Sequence, residues 1–197
     1  MPSPIGHAIV GAAVAWTADA IDPDQADVAT LKRRPTAVAT VACAIAAAAP
    51  DLDLLLPIQH RTITHSVIVV ALVTAVTIVA MAVTGKVKPT TRRLVFLCAL
   101  AYASHLLLDW LAVDTTAPRG IQLFWPASDR WFISEWDLFR GTARRNVFSV
   151  ESMRINALAI LQEIVMLAPI AAAAWLIRVK ALARFAPEVP RGHHAAE

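Results

Sequence analysis

The sequence predicts an all-α membrane protein: a multi-pass transmembrane helical bundle of about five spans, with an aromatic-rich interfacial segment capping its outer face. Composition is the first reason. Of the 197 residues 57% are hydrophobic and 17% charged, and mean hydropathy is +0.57, far more apolar than an ordinary soluble domain. Several apolar runs approach the roughly 20 residues that cross a hydrocarbon core of about 30 Å, and Val67 to Val83 carries no charge. Finally, the cations are grouped between the runs, as in membrane proteins with a fixed orientation.

Five spans follow, at about 5 to 18, 36 to 49, 66 to 84, 94 to 112 and 155 to 177. The first has the short apolar stretch of a secretory signal but no positive n-region, so it reads as a short span or re-entrant helix. Pro50 discourages Ala49 from staying helical and ends the second. Thr64 or Ser66 caps the third. Residues 1–184 form one domain, and 185–197, with His193 and His194, read as a disordered tail. Cys43 and Cys98 lie in apolar runs without Cys-x-x-Cys spacing, as small buried side chains do.

Lys32, Arg33 and Arg34 follow the first span, Lys86, Lys88, Arg92 and Arg93 the third, and Arg178, Lys180, Arg184 and Arg191 the fifth. The positive-inside rule makes these loops cytoplasmic, with the N-terminus outside and the C-terminus inside. Trp16 and Trp175 then sit near inner ends and Trp110 near an outer end, at the headgroup depth that indole prefers. The segment 113–154, with "FWP", "DRWF" and "EWDLF", is too aromatic for a linker and too charged to span. The net charge of +3 follows orientation and gives no nucleic-acid signal.

On this map His7, "PDLD" (Asp51, Asp53), "HRTITHS" (His60, Arg61, His65) and "HLLLD" (His105, Asp109) all fall at outer ends. His105 and Asp109 are four apart and share a helix face. Asp51 and Asp53 occupy a non-helical turn and repel unless something positive lies between them. Any one of these histidines alone is an ordinary interfacial residue. Four His and three Asp together are not, because ionisable groups at membrane depth cost about 2.5–3.5 kcal/mol each. A chelated divalent cation, foremost Zn²⁺, as one ion or more, offsets that cost. Glu163 and His105 both lie about 10–12 Å below their outer ends and could face each other, making Glu163 a candidate proton shuttle. The competing reading is a protonated acid that ties helices together with Gln162.

These stretches resemble the membrane-bound metal-dependent hydrolases of the YdjM type. The resemblance spans most of the chain and rests on "GHAIVG", "PDLD", "HRTITHS", "SHLLLDW" and "APRGIQLFWP" in that order. Thr62 stands where the family usually has Gly. The resemblance implies a multi-pass helical enzyme of the inner membrane that hydrolyses its substrate with bound metal. More distantly the pattern is similar to the zinc-dependent phospholipase C and P1 nuclease superfamily, which implies a phosphoester, lipid or lipid-linked, with Arg61 as a phosphate partner. First choices for direct ligands are His65, His105 and Asp109, with His7, Asp51, Asp53 and His60 completing the set. The expected partners are membrane lipid and a small-molecule or lipid substrate. The alternative from another class is a non-enzymatic metal carrier or permeation protein. The inner halves of the spans, such as "VTIVAMAVT" and "LIRV", carry no polar group before the basic loops, which a conduit would need. A third reading is a scaffold whose polar cluster only stabilises the bundle.

Overall fold

A computed structural model describes residues 1–21, 35–84, 88–144 and 146–185. Lys32, Arg33, Arg34, Lys86, Arg191, His193, His194 and nearly all of the expected tail lie outside them. The described residues form five helices: α1 (Pro4–Ile21), α2 (Pro35–Ala48), α3 (Val67–Thr84), α4 (Pro89–Trp110) and α5 (Val150–Phe185). Short 3-10 stretches occupy Ala49–Leu55 and Ile63–His65. Counting the 3-10 extension with α2, all five are long and apolar enough to cross a membrane.

Two helices are longer than hydropathy predicts. Helix α4 starts at Pro89 after an extended Lys88, because proline is pre-organised for the first helical position and its missing N–H is no loss there. Helix α5 runs 36 residues through Pro169, about 54 Å, so its ends outrun the hydrocarbon. The Ser149 hydroxyl accepts the Ser152 N–H at 3.1 Å and caps its first turn.

Helix α1 is central and packs on α2, α4 and α5, whereas α3 leans on α4. The core where α1, α2 and α4 meet is built from Ala15, Cys43, Ala47, Leu97 and Ala101. With lipid as solvent, small residues that let backbones approach supply the packing. Gly11 shows how close they come: a Cβ there would lie 2.4 Å from the Cys43 carbonyl oxygen. Helix α3 buries no residue and has a mean hydropathy of 2.7, as a helix apolar all round and facing lipid should. Its Thr74 and Thr77 hydroxyls donate to the carbonyls four residues back, both at 2.7 Å, so neither is left unpaired in hydrocarbon.

At the far end of α1 from His7, Asp19 accepts from Arg93 Nη2 at 3.0 Å and Arg178 Nε at 2.9 Å. This corrects the expectation that the "LIRV" end is free of polar groups. Arg178 lies inside α5, 3% exposed, rather than in a loop after it. Its guanidinium also covers Trp175, 4.9 Å from the ring centre.

Residues 111–144 and 146–149 contain no helix. Isolated bridges join Ala112 to Phe139 and Ile121 to Phe132. Backbone bonds from Ser134 to Trp110, Leu138 to Leu111 and Val67 to Leu123, each 2.9 Å, fix the segment to the ends of α4 and α3. Gln162 of α5 holds it from the other side, accepting the Arg140 N–H and donating to the Leu138 carbonyl. The segment is thus hydrogen-bonded to α3 at Val67, to the end of α4 at Trp110 and Leu111, and to α5 at Gln162.

Candidate metal centre

Four elements deliver the cluster. Asp51 and Asp53 sit on the 3-10 stretch after α2, which Pro50 opens, rather than on an irregular turn. His65 ends the short 3-10 stretch before α3. Ser66 caps α3, its hydroxyl accepting the N–H groups of Ile68 at 3.2 Å and Val69 at 3.4 Å. His105 and Asp109 stack one turn apart near the end of α4, and His7 enters from the second turn of α1.

The rings of His65 and His105 have centres 5.0 Å apart, and those of His7 and His105 stack at 3.7 Å. His105 Nδ1 is 2.8 Å from the Ala47 carbonyl, so it carries the proton and leaves Nε2 a free lone pair. His65 is oriented in the same way: its Nδ1 faces Thr64 Oγ1 at 2.9 Å and Asp53 Oδ2 at 3.4 Å, and Nε2 points inward. His65 Nε2 lies 3.1 Å from His105 Nε2, 3.2 Å from Asp109 Oδ2 and 4.0 Å from Asp51 Oδ1. His105 Nε2 lies 3.3 Å from Asp109 Oδ2 and 3.8 Å from Asp51 Oδ1. A tetrahedron with bonds of about 2.0–2.1 Å has edges of about 3.3–3.4 Å. The distances among His65, His105 and Asp109 approach that edge, those to Asp51 are longer, and all four donor atoms lie within 4.8 Å of one another, so the group could hold one ion.

The polar bookkeeping agrees. Among the described residues, Asp51 Oδ1, both Asp109 carboxylate oxygens and both His7 ring nitrogens are buried with no hydrogen-bond partner. Buried acceptors left so are rare unless something else satisfies them. Burial alone would push the His65 pKa down, yet the Asp109 and Asp53 carboxylates lift it to about 9. The same negative field that favours a proton there would favour a divalent ion. The residues present thus fit a metal ion.

The other predicted residues fall around this centre. Asp53 faces the opposite side of the His65 ring from Asp51, and with His60 and His65 it forms a second group that could hold a metal ion. Its oxygens accept from His60 Nδ1 at 2.5 Å, Thr64 Oγ1 at 2.6 Å and the Arg61 N–H at 3.2 Å. His60 therefore faces Asp53 on one side and Arg144 on the other; burial and the Arg144 charge push its pKa down, in keeping with a neutral ring. Arg61 pairs with Asp114. Burial alone would raise the Asp114 pKa, but the N–H groups of Gly120 and Thr116 together with Arg61 hold it below the usual carboxylate range. The positive φ of this loop, 69°, falls on Arg61, while Thr62 has φ −107°, so a side chain at 62 is accommodated.

Glu163 is fully buried but its hydrogen bonds go to Ser3 rather than to His105. One oxygen accepts the Ser3 N–H at 2.7 Å and the other the Ser3 hydroxyl. Ser3 Oγ in turn accepts the Gly6 N–H at 3.3 Å, so α5 ties down the start of α1 one turn before His7. Glu163→Ala, which leaves the buried Ser3 groups unpaired, is expected to cost about 1–3 kcal/mol of stability. Glu163→Gln, which keeps an acceptor, should stay close to wild type. Thermal unfolding of the detergent-purified variants checks this; equal midpoints for the two would contradict it. Sequence reasoning did not find Ser3, Tyr102 (whose hydroxyl donates to the Thr64 carbonyl at 2.6 Å) or Arg144. Their partners are 160, 38 and 84 positions away, beyond the reach of local spacing.

The family model of the YdjM inner membrane protein matches residues 1–184. The chain belongs to that family. No curated protein and no solved structure matches it. In this YdjM-family chain the match covers every one of the donors described above, and with five apolar helices it fits a multi-pass protein of the inner membrane.

Proposed function

We propose that this YdjM-family protein is a membrane-bound metal-dependent hydrolase, acting on a phosphoester of a lipid or lipid-linked substrate at the outer side of the membrane. The observation that carries the reading is the set of buried oxygens and nitrogens of Asp51, Asp109 and His7 that make no hydrogen bond, beside the inward nitrogens of His65 and His105. Asp51, His65, His105 and Asp109 would hold the ion, zinc being the first choice for such a set. Asp109 Oδ1 is also 3.5 Å from His7 Nε2, so this carboxylate joins the four-donor group to a third imidazole. A bound divalent cation supplies a water of lowered pKa, toward about 7, and polarises the scissile group. Asp53 and His60 orient His65 from outside, Arg61 stands ready as a substrate-binding cation, and Glu163 positions His7 by anchoring α1.

The competing carrier reading is disfavoured by the other end of α1. A cation moving past His7 along the bundle would meet Arg93 and Arg178, two guanidiniums sharing a single carboxylate. Screening the metal-loaded protein against lipid phosphomonoesters, phosphodiesters and amides, with His105→Ala as the blank, tests the proposal. Turnover of a phosphoester that depends on metal and is absent from the blank is expected. Zinc flux into proteoliposomes that His65→Ala abolishes, without any turnover, would replace the enzyme by a carrier.

A further inference from the structure

Beside the metal centre an opening of about 570 Å³ lies between the 59–61 loop and the segment 113–144. Two arginines dominate its wall. Arg61 is buried and pairs with Asp114. Arg144 is exposed at the mouth and makes no ion pair among the described residues; its bonds go to His60 Nε2 and to the Met1 thioether. Arg61 Nε lies against the same sulfur. Two guanidiniums on different segments thus converge on one acceptor position held by a thioether, among the weakest acceptors a protein offers. An anion at that position would relieve the repulsion between them and accept forked N–H donors from both sides, and methionine is flexible enough to yield the place.

We propose that Arg61 and Arg144 form a clamp for a phosphate group, set beside the metal centre and separate from its ligands. His60 connects the two. It accepts from Arg144 at Nε2 and faces Asp53 through Nδ1 at 2.5 Å, and Asp53 in turn faces His65. That the phosphate is part of the substrate rests on the hydrolase reading; the binding itself does not. The hydroxyl-bearing Thr115 and Thr116 line the same wall and supply neutral donors.

The test is equilibrium dialysis of inorganic phosphate against the full-length protein in neutral detergent, after metal has been stripped with a chelator. Saturable binding is expected, weakened at least about tenfold in Arg144→Ala and partly restored in Arg144→Lys, which keeps the charge but loses the fork. Phosphate binding that vanishes when metal is stripped, or that is equal in wild type and Arg144→Ala, overturns the clamp. Competition then separates the two sources of the group. Displacement by phosphatidic acid in phosphatidylcholine nanodiscs, and not by glycerol 3-phosphate, marks a lipid headgroup; the reverse marks a soluble phosphate. A clamp that binds phosphate in a protein without turnover would sink the hydrolase reading and leave the clamp standing.

Discussion

Asp109→Asn is expected to bind a divalent cation at least about 100-fold more weakly than wild type. Changes to groups that merely orient ligands typically cost about 10–100-fold, and this change is made at a proposed ligand. Asp109 is central to the cluster: Oδ2 is 3.2 Å from His65 Nε2 and 3.3 Å from His105 Nε2, and Oδ1 is 3.5 Å from His7 Nε2. Asparagine keeps the shape but removes the charge and presents an N–H₂ donor where lone pairs face inward. Because the substitution is isosteric, α4 should remain helical. Zinc competition against a chromophoric chelator gives the number, and an Asn variant that holds zinc as tightly as wild type would remove Asp109 from the ligand set.

Asp19→Ala is expected to cost about 3–5 kcal/mol, as breaking a buried ion pair from one side does. Arg178 is 3% exposed and would keep its charge with no carboxylate beside it, whereas Arg93 is the better hydrated of the two partners. The penalty comes from the stranded charge more than from the lost attraction. Asp19→Ala combined with Arg178→Leu should therefore recover much of the loss. Thermal unfolding in detergent, read for wild type, single and double variants, decides it. A single variant as stable as wild type would mean that water or headgroups already reach Arg178.

How much of this was legible in the sequence depends on the range of the interaction. The pairing of His105 with Asp109 follows from helical spacing alone, and their Nε2 to Oδ2 distance of 3.3 Å agrees with it. The repulsion between Asp51 and Asp53 asked for something positive between them, and the His65 ring lies there, its two nitrogens turned to different carboxylates. The cap at Ser66 was equally local. Helix ends were less legible. Hydropathy sees only the stretch inside hydrocarbon, while the backbone bonds of α5 continue past it at both ends, from Val150 to Phe185. Depth placed Glu163 and His105 at one level, but rotation about α5 decides what a side chain meets, and Glu163 meets Ser3. Arg178 was read as a loop cation because charge was weighed without its partner, Asp19, 159 positions earlier. Arg144 was invisible because the irregular segment that carries it has no period to read.

Asp51, His65, His105 and Asp109 are proposed to grip one divalent ion jointly. Elemental analysis and X-ray absorption of the protein purified without added metal test this most directly. Bound zinc or another divalent ion is expected at stoichiometric level, surrounded by nitrogen and oxygen at about 2.0–2.2 Å with no sulfur, and lost in His105→Ala. Protein that carries no ion above background after reconstitution with zinc, or that keeps full occupancy in His105→Ala, would contradict it.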